Sequence, residues 1–280
     1  MLLSDLILSP QHSILTQSYD SRLRLDTRRP HNGDGFGIGY YTLPSLGTDP
    51  CIFTSTIPAW NCINLSRLAA KTTSSLIFAH VRATTEGSLS DSNCHPFSYK
   101  SLMWMHNGNI ACWRQVKRDL VVSIGKRWFN IVHGNTDSEW AFALFLDSLQ
   151  SLGVDVDAPD LVANGFGHHV LRAALLKTIE RINVFVDCAS SPEADNHSNE
   201  NYKTAEKSLL NFAITDGHSV ICSKYVNSHA DEAASLFFSS GTSWSSTGPK
   251  GQFKMERKDK GADIVLVASE PLTFERGMYW

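Results

Sequence analysis

The alternation of apolar and polar positions divides the chain into three stretches, and the first is rich in short strands. Leu2, Leu3, Leu6 and Ile7 share one helical face and Pro10 stops the pattern, so the spacing predicts a short helix over residues 2–8. A glycine-rich turn then precedes a strand at 36–41 (FGIGYY), and residues 51–57 (CIFTSTI) alternate in the same way. Residues 64–73 (NLSRLAAKTT) have the spacing of a short amphipathic helix. The mostly apolar run 75–83 (SLIFAHVRA) predicts a strand buried on both faces.

The middle stretch turns helical. A polar loop, TTEGSLSDSN, leads to Cys94-His95-Pro96-Phe97, and residues 101–106 (SLMWMH) predict another buried strand. That strand is expected to end at Asn107-Gly108, a tight-turn dipeptide. Residues 111–132 have helical periodicity. A second helix is predicted from about Thr136, with the apolar set Trp140, Phe142, Ala143, Leu144, Leu146 and Leu149. A third covers about 168–187, with Val170, Leu171, Leu175, Ile179, Ile182 and Phe185.

Residues 189–207 are polar and without period, which reads as a mobile loop. The last stretch is strand-like again. LLNFAITDGHSVICSKYV predicts a hairpin turning at Asp216-Gly217, and LFFSSGTSW, QFKMERK and ADIVLVASEPLTF follow as strands. Helices in the middle with strands on both sides predict an α+β fold with layered sheets, not a regular βαβ alternation.

Composition narrows the function classes. The 280 residues are 42% hydrophobic and 19% charged, as in ordinary globular proteins. A formal net charge of −3 gives no electrostatic reason to expect nucleic acid as a partner. No apolar run approaches the roughly 20 residues that span a bilayer, and the N-terminus has no basic segment ahead of its short apolar stretch, so neither a membrane span nor a secretory signal is expected. Cys51, Cys62, Cys94, Cys112, Cys188 and Cys222 form no C-x-x-C pair and no disulfide-framework spacing, which suggests a reducing, cytoplasmic compartment. The 11 histidines are scattered, with His168-His169 the one adjacent pair and no H-E-x-x-H, so neither a metal nor a cofactor is expected.

Four short segments carry candidate chemistry: Asn32 to Gly37 (NGDGFG), His80 to Thr84 (HVRAT), His106 to Asn109 (HNGN) and Gly134 to Glu139 (GNTDSE). Each has a structural reading when taken singly. The glycines of the first suit a turn and close backbone packing, and no lysine follows to make a phosphate loop. Arg82 can pair with an acidic neighbour. Asn107-Gly108 suits a hairpin. Thr136 and Glu139 have the spacing of a capping box, with Asp137 favoured at a helix N-terminus.

In this order, and together with Asn93-Cys94-His95-Pro96-Phe97, these segments resemble the class II glutamine amidotransferases, which are N-terminal-nucleophile hydrolases. The likeness runs from about Ser13 to Phe274. It is closest to the fungal glutamine amidotransferase subunit of the cytosolic glutathione-degradation complex, through the runs HSILTQSYDSRLRLDTRRP, NGDGFGIGYY, HVRATTEG, NCHPF, MHNG, TDSEWAFALFLD, LLNFAITDG, DEAASL and VASEPLTFERG.

The resemblance implies a four-layer αββα sandwich and hydrolysis of a γ-glutamyl amide. It also assigns roles that make chemical sense. Arg82 matches the arginine that binds the α-carboxylate, which a guanidinium fork grips by both oxygens. Asp137 matches the aspartate that holds the α-ammonium. Asn107 and Gly108 match the oxyanion hole, one giving a side-chain amide and the other a backbone N–H. Glutamine or glutathione is the implied substrate, and a larger peptidase-like subunit the implied partner. The other readings are a γ-glutamyl hydrolase of ergothioneine-type thiol-histidine synthesis and a non-catalytic protein that binds γ-glutamyl ligands or the partner.

The sequence departs from the family at its start. The family's mature chain begins with a cysteine whose thiolate attacks the amide while its own α-amino group acts as base. Here residue 2 is Leu2. The expectation is one amidotransferase domain over residues 1–280, without its first strand and nucleophile, cut short also at its C-terminal end at Trp280, where related chains run on past the segment matching Glu270 to Thr273, and inactive as it stands. The six cysteines are expected to be inert and His80, His95 and His106 to serve packing or hydrogen bonding.

Overall fold

The computed structural model describes residues 1–21, 31–84, 88–190, 207–248, 251–258 and 261–273. In chain order the elements are α1 (Ser4–Ile7), α2 (Ile14–Tyr19), β1 (Phe36–Tyr40), β2 (Cys51–Ser55), α3 (Ile63–Ala69), β3 (Ile77–Val81), β4 (Phe97–Tyr99), β5 (Leu102–Asn109), α4 (Trp113–Ser123), α5 (Lys126–Phe129), α6 (Asp137–Ser151), α7 (Pro159–Asn164), α8 (His168–Ala189), β6 (Leu209–Thr215), β7 (Val220–Cys222), β8 (Phe237–Gly241), β9 (Ser243–Ser246), β10 (Phe253–Glu256) and β11 (Ile264–Ala268). They form two compact units, one of residues 1–96 and 234–280, the other of residues 97–233.

The first unit is mostly sheet. β1 lies between β2 and β3, antiparallel to both, while β8 pairs with β11 and β9 with β10. Leu3 and Ile7 of the predicted N-terminal helix pack with Phe36, Ile38, Leu65 and Ala69. β3 is shorter and less enclosed than its apolar run suggests: only Phe78 of its five residues is buried. The two ends of this unit are tied by polar contacts. The indole of Trp244 donates to the Asp5 carbonyl at 2.9 Å, and buried His12 meets the buried Glu270 carboxylate at 2.7 Å. Buried polar groups need such partners.

The second unit stacks helices on one face of the antiparallel sheet β4-β5-β6-β7. Trp104, Phe212 and Ile214 from the sheet pack with Phe142, Phe145, Leu171, Leu175 and Ile182 from α6 and α8, in rows set by the 3.6-residue period. Thr136 caps α6 by accepting the Glu139 N–H, as predicted. The Glu139 carboxylate does not reach back to Thr136 to complete a capping box; it accepts from His133 N–H at 2.8 Å and Gly134 N–H at 2.7 Å. The helix predicted over 111–132 is two helices, α4 and α5, separated at Ile124-Gly125. Of the loop predicted over 189–207, residues 191–206 lie outside the described residues, Ala189 ends α8, and Lys207 forms an ion pair with Asp231 at 2.6 Å.

Candidate active site

Asn107 and Gly108 do not form the expected turn. β5 runs straight through them, because β6, about a hundred residues later in the chain, pairs Asn107 with Asn211 and Gly108 with Leu210. The pairing has a consequence for the Gly108 amide. Leu210 donates its N–H to Tyr225, on the side of β6 away from β5. In an antiparallel ladder both members of a pair face in or both face out. The Gly108 N–H therefore points away from β6. On its other side β4 pairs only with Leu102, Met103 and Trp104, so the ladder ends before Gly108. Among the described strands a backbone donor is left at the sheet margin, on an exposed residue.

Only glycine fits there. Gly108 has φ of 150°, and a Cβ on it would lie 1.7 Å from the Leu209 carbonyl oxygen. Side chains alternate along a strand, so half-buried Asn107 projects from the face opposite His106, which packs on Phe212 among the helices.

Asp137 opens α6 and is held at the end of the same strand. One carboxylate oxygen accepts the Ile110 N–H at 2.8 Å, just past β5, and the other lies 3.2 Å from the Ser138 hydroxyl. The second unit thus brings Asn107, Gly108 and Asp137 to one end of β5. A helix N-terminus stabilises the negative charge there.

Arg82 belongs to the first unit, directly after β3. Its N–H donates to Gly35 at 2.9 Å, its carbonyl accepts the Asp34 N–H at 3.0 Å, and the Asp34 carboxylate accepts the Thr84 N–H at 2.7 Å. The Asn32–Gly37 segment is therefore a clamp on the Arg82 backbone. Gly37 lets the same segment pass close to His95, since a Cβ there would sit 2.0 Å from the His95 carbonyl oxygen. The Arg82 side chain is 5% exposed, and among the described residues neither terminal guanidinium nitrogen has a hydrogen-bond partner. A buried cation without partners is costly, and such an arrangement is stable where a ligand anion completes it.

The neighbouring thiol fits no nucleophilic role. Cys94 is buried and its Sγ faces the carbonyls of Ser55 and Ser90 at 3.6 and 3.7 Å. Burial pushes its pKa up, against the pull of the Arg82 charge. Surface concavity alone would point elsewhere: a groove of about 420 Å³ between α8 and β7, lined by Arg172, Leu176 and Val220 among others, holds none of the candidate residues. Among the described residues no three His, Cys, Asp or Glu side chains converge as metal ligands, and no helix is long and apolar enough to cross a membrane. The sequence reading missed a polar chain from Asp137 through Ser138 to His106. Its signal was the presence of His106 and Ser138 beside two motif residues.

The family model for class II glutamine amidotransferases matches residues 13–185. A protein described as a probable glutamine amidotransferase, DUG3 of Saccharomyces cerevisiae, is 52% identical over 277 residues, covering 98% of this chain and 74% of its own. The solved structure of a glutamine aminotransferase class-II domain protein from Silicibacter pomeroyi shares the fold, with a TM-score of 0.51 and 22% identity over 78% of each chain. The motifs, the family match and the yeast relative converge, and this chain belongs to the class II glutamine amidotransferases.

Proposed function

We propose that this protein recognises the free γ-glutamyl head of glutamine or glutathione and hydrolyses its γ-amide. The observation that carries the reading is the buried Arg82, whose two terminal guanidinium nitrogens have no hydrogen-bond partner among the described residues. An α-carboxylate supplies both oxygens that such a fork needs. Asp137 then takes the α-ammonium. In the reaction, a cysteine thiolate adds to the γ-carbonyl, the oxyanion is held by the Asn107 amide and the Gly108 N–H, and the amine leaves with a proton from the α-amino base. Water then cleaves the thioester to release glutamate and restore the thiol. Ammonia is the leaving group from glutamine, and cysteinylglycine from glutathione.

Several parts of this reading go together. Both compact units belong to one amidotransferase domain of the four-layer αββα type; the family match supports this because it runs without a break across the boundary at Pro96 and Phe97. The long runs shared with the fungal subunit favour glutathione as substrate, a larger peptidase-like partner and a cytoplasmic setting.

The test begins with mass spectrometry of the N-terminal peptide of the protein from its own cells. A cysteine ahead of the Leu2–Ser4 region identifies the nucleophile. A start at Met1 or Leu2 supports a binding role and removes the hydrolytic one. A form carrying the cysteine is then offered glutamine and glutathione, with and without the partner. Inactivity on glutathione in both cases rejects glutathione as the substrate.

A further inference from the structure

His106 sits among apolar groups with its ring fully enclosed, yet both nitrogens are engaged. Nε2 lies 2.9 Å from the Leu209 carbonyl oxygen, and Nδ1 lies 2.9 Å from the Ser138 hydroxyl. A carbonyl only accepts, so Nε2 carries a hydrogen. In the neutral ring Nδ1 is then a bare lone pair that needs a donor, and the Ser138 hydroxyl is the group within reach. That hydroxyl has one hydrogen and two acceptors, Nδ1 at 2.9 Å and the Asp137 Oδ1 at 3.2 Å.

We propose that His106 is a positioning residue for Asp137, acting through Ser138: the neutral ring takes the hydroxyl hydrogen and so leaves Asp137 Oδ1 open for the substrate's ammonium group. This rests on the reading of Asp137 given above. The other oxygen, Oδ2, is already held by the Ile110 N–H, so Oδ1 is the face a ligand can use. Protonation of the ring reverses the chain. Nδ1–H then donates to Ser138, the hydroxyl turns to Oδ1, and a positive charge arrives beside the site. Both changes oppose the binding of an ammonium.

Burial opposes that protonation and pulls the His106 pKa down, while the Asp137 carboxylate pulls it up less strongly. Asp137, on α6, is the charged group acting on the ring; the Phe212 ring and the Leu209 carbonyl on β6 carry no titratable group. The same ring also bears on the oxyanion side, because the Leu209 carbonyl it holds occupies the place a Cβ of Gly108 would need.

The experiment is calorimetric binding of L-glutamine and of its des-amino analogue to the chain, between pH 5 and 8. L-Glutamine affinity is expected to fall as the pH is lowered, by at most about tenfold per pH unit, with no such limb for the analogue. His106→Ala frees the Ser138 hydroxyl to turn to Oδ1 and is expected to cost about tenfold toward L-glutamine alone, one hydrogen bond's worth of competition. His106→Asn, which keeps an acceptor and cannot titrate, restores affinity at pH 7.5 and abolishes the acid limb. Adding Ser138→Ala to His106→Ala also restores affinity, since the competing hydroxyl is gone. A double variant no better than His106→Ala, or an acid limb that survives in His106→Asn, overturns the relay. Asp137→Asn separates the two levels: if it leaves L-glutamine affinity unchanged, the ammonium role of Asp137 fails; if it lowers affinity while the relay variants behave otherwise than stated, the relay alone fails.

Discussion

Arg82→Met should make the protein more stable and blind to its ligand. The wild-type side chain is 5% exposed, and its terminal nitrogens have no partner among the described residues. A buried ion carries an effective desolvation cost of several kcal/mol, and replacing buried charges by apolar side chains of similar volume has yielded about 1–4 kcal/mol. Methionine has a similar reach, keeps the apolar stem contacts and leaves nothing to desolvate. At about 2–4 °C per kcal/mol for chains of this general size, the expected rise in Tm spans roughly 2–16 °C.

Ligand reports on the same residue from the other direction. L-Glutamine at about 100 times its Kd should add about 2.7 kcal/mol to the wild type and nothing to the variant. Thermal melts of both proteins, with and without L-glutamine, give all four values. An Arg82→Met variant that melts below the wild type would make the guanidinium a structural partner, and one that keeps the glutamine-induced shift would place the carboxylate elsewhere; either result overturns the ligand role of Arg82.

Three further outcomes follow from the geometry. Gly108→Ala puts a methyl group 1.7 Å from the Leu209 oxygen at a φ of 150°, so β6 must shift; a loss of about 2–4 kcal/mol in urea unfolding is expected, and a wild-type midpoint would contradict the strand register. Asn107→Ala, in a form carrying the nucleophile, should lower kcat about a hundredfold with little change in KM; equal turnover in steady-state assays would remove Asn107 from the oxyanion site. Burial raises the Glu139 pKa above its usual 4.5, so the folded protein holds that proton more tightly than the unfolded chain. Its contribution to stability is complete below pH 4.5 and is lost as pH rises through the raised value, and Glu139→Gln should remove that loss when denaturation is followed from pH 4.5 upward. A wild-type slope in the variant would assign the effect to other groups.

The sequence by itself determined the elements whose signal is local. The apolar rows of α6 and α8, the alternation of β1 and β2 and the Thr136 cap all arise from neighbours within a few residues, and the structure places each where the periodicity does. The resemblance likewise named Arg82, Asn107, Gly108 and Asp137 from short runs of residues. Less was visible where apolar pattern was too short to register: α2, α7 and the three-residue β4 carry no period.

Tertiary structure decided the rest, because it depends on partners far away in the chain. Asn107-Gly108 and Asp216-Gly217 look alike as dipeptides, yet one lies in a strand and the other turns a hairpin. The difference is β6, which supplies Asn107 and Gly108 with opposite residues about a hundred positions later. That pairing turns the Gly108 N–H out of the ladder and sets Leu209 against His106. No local pattern encodes which carbonyl will reach a histidine ring, or that the terminal nitrogens of a buried arginine will have no partner among the described residues, since both are settled only when distant segments pack and exclude water.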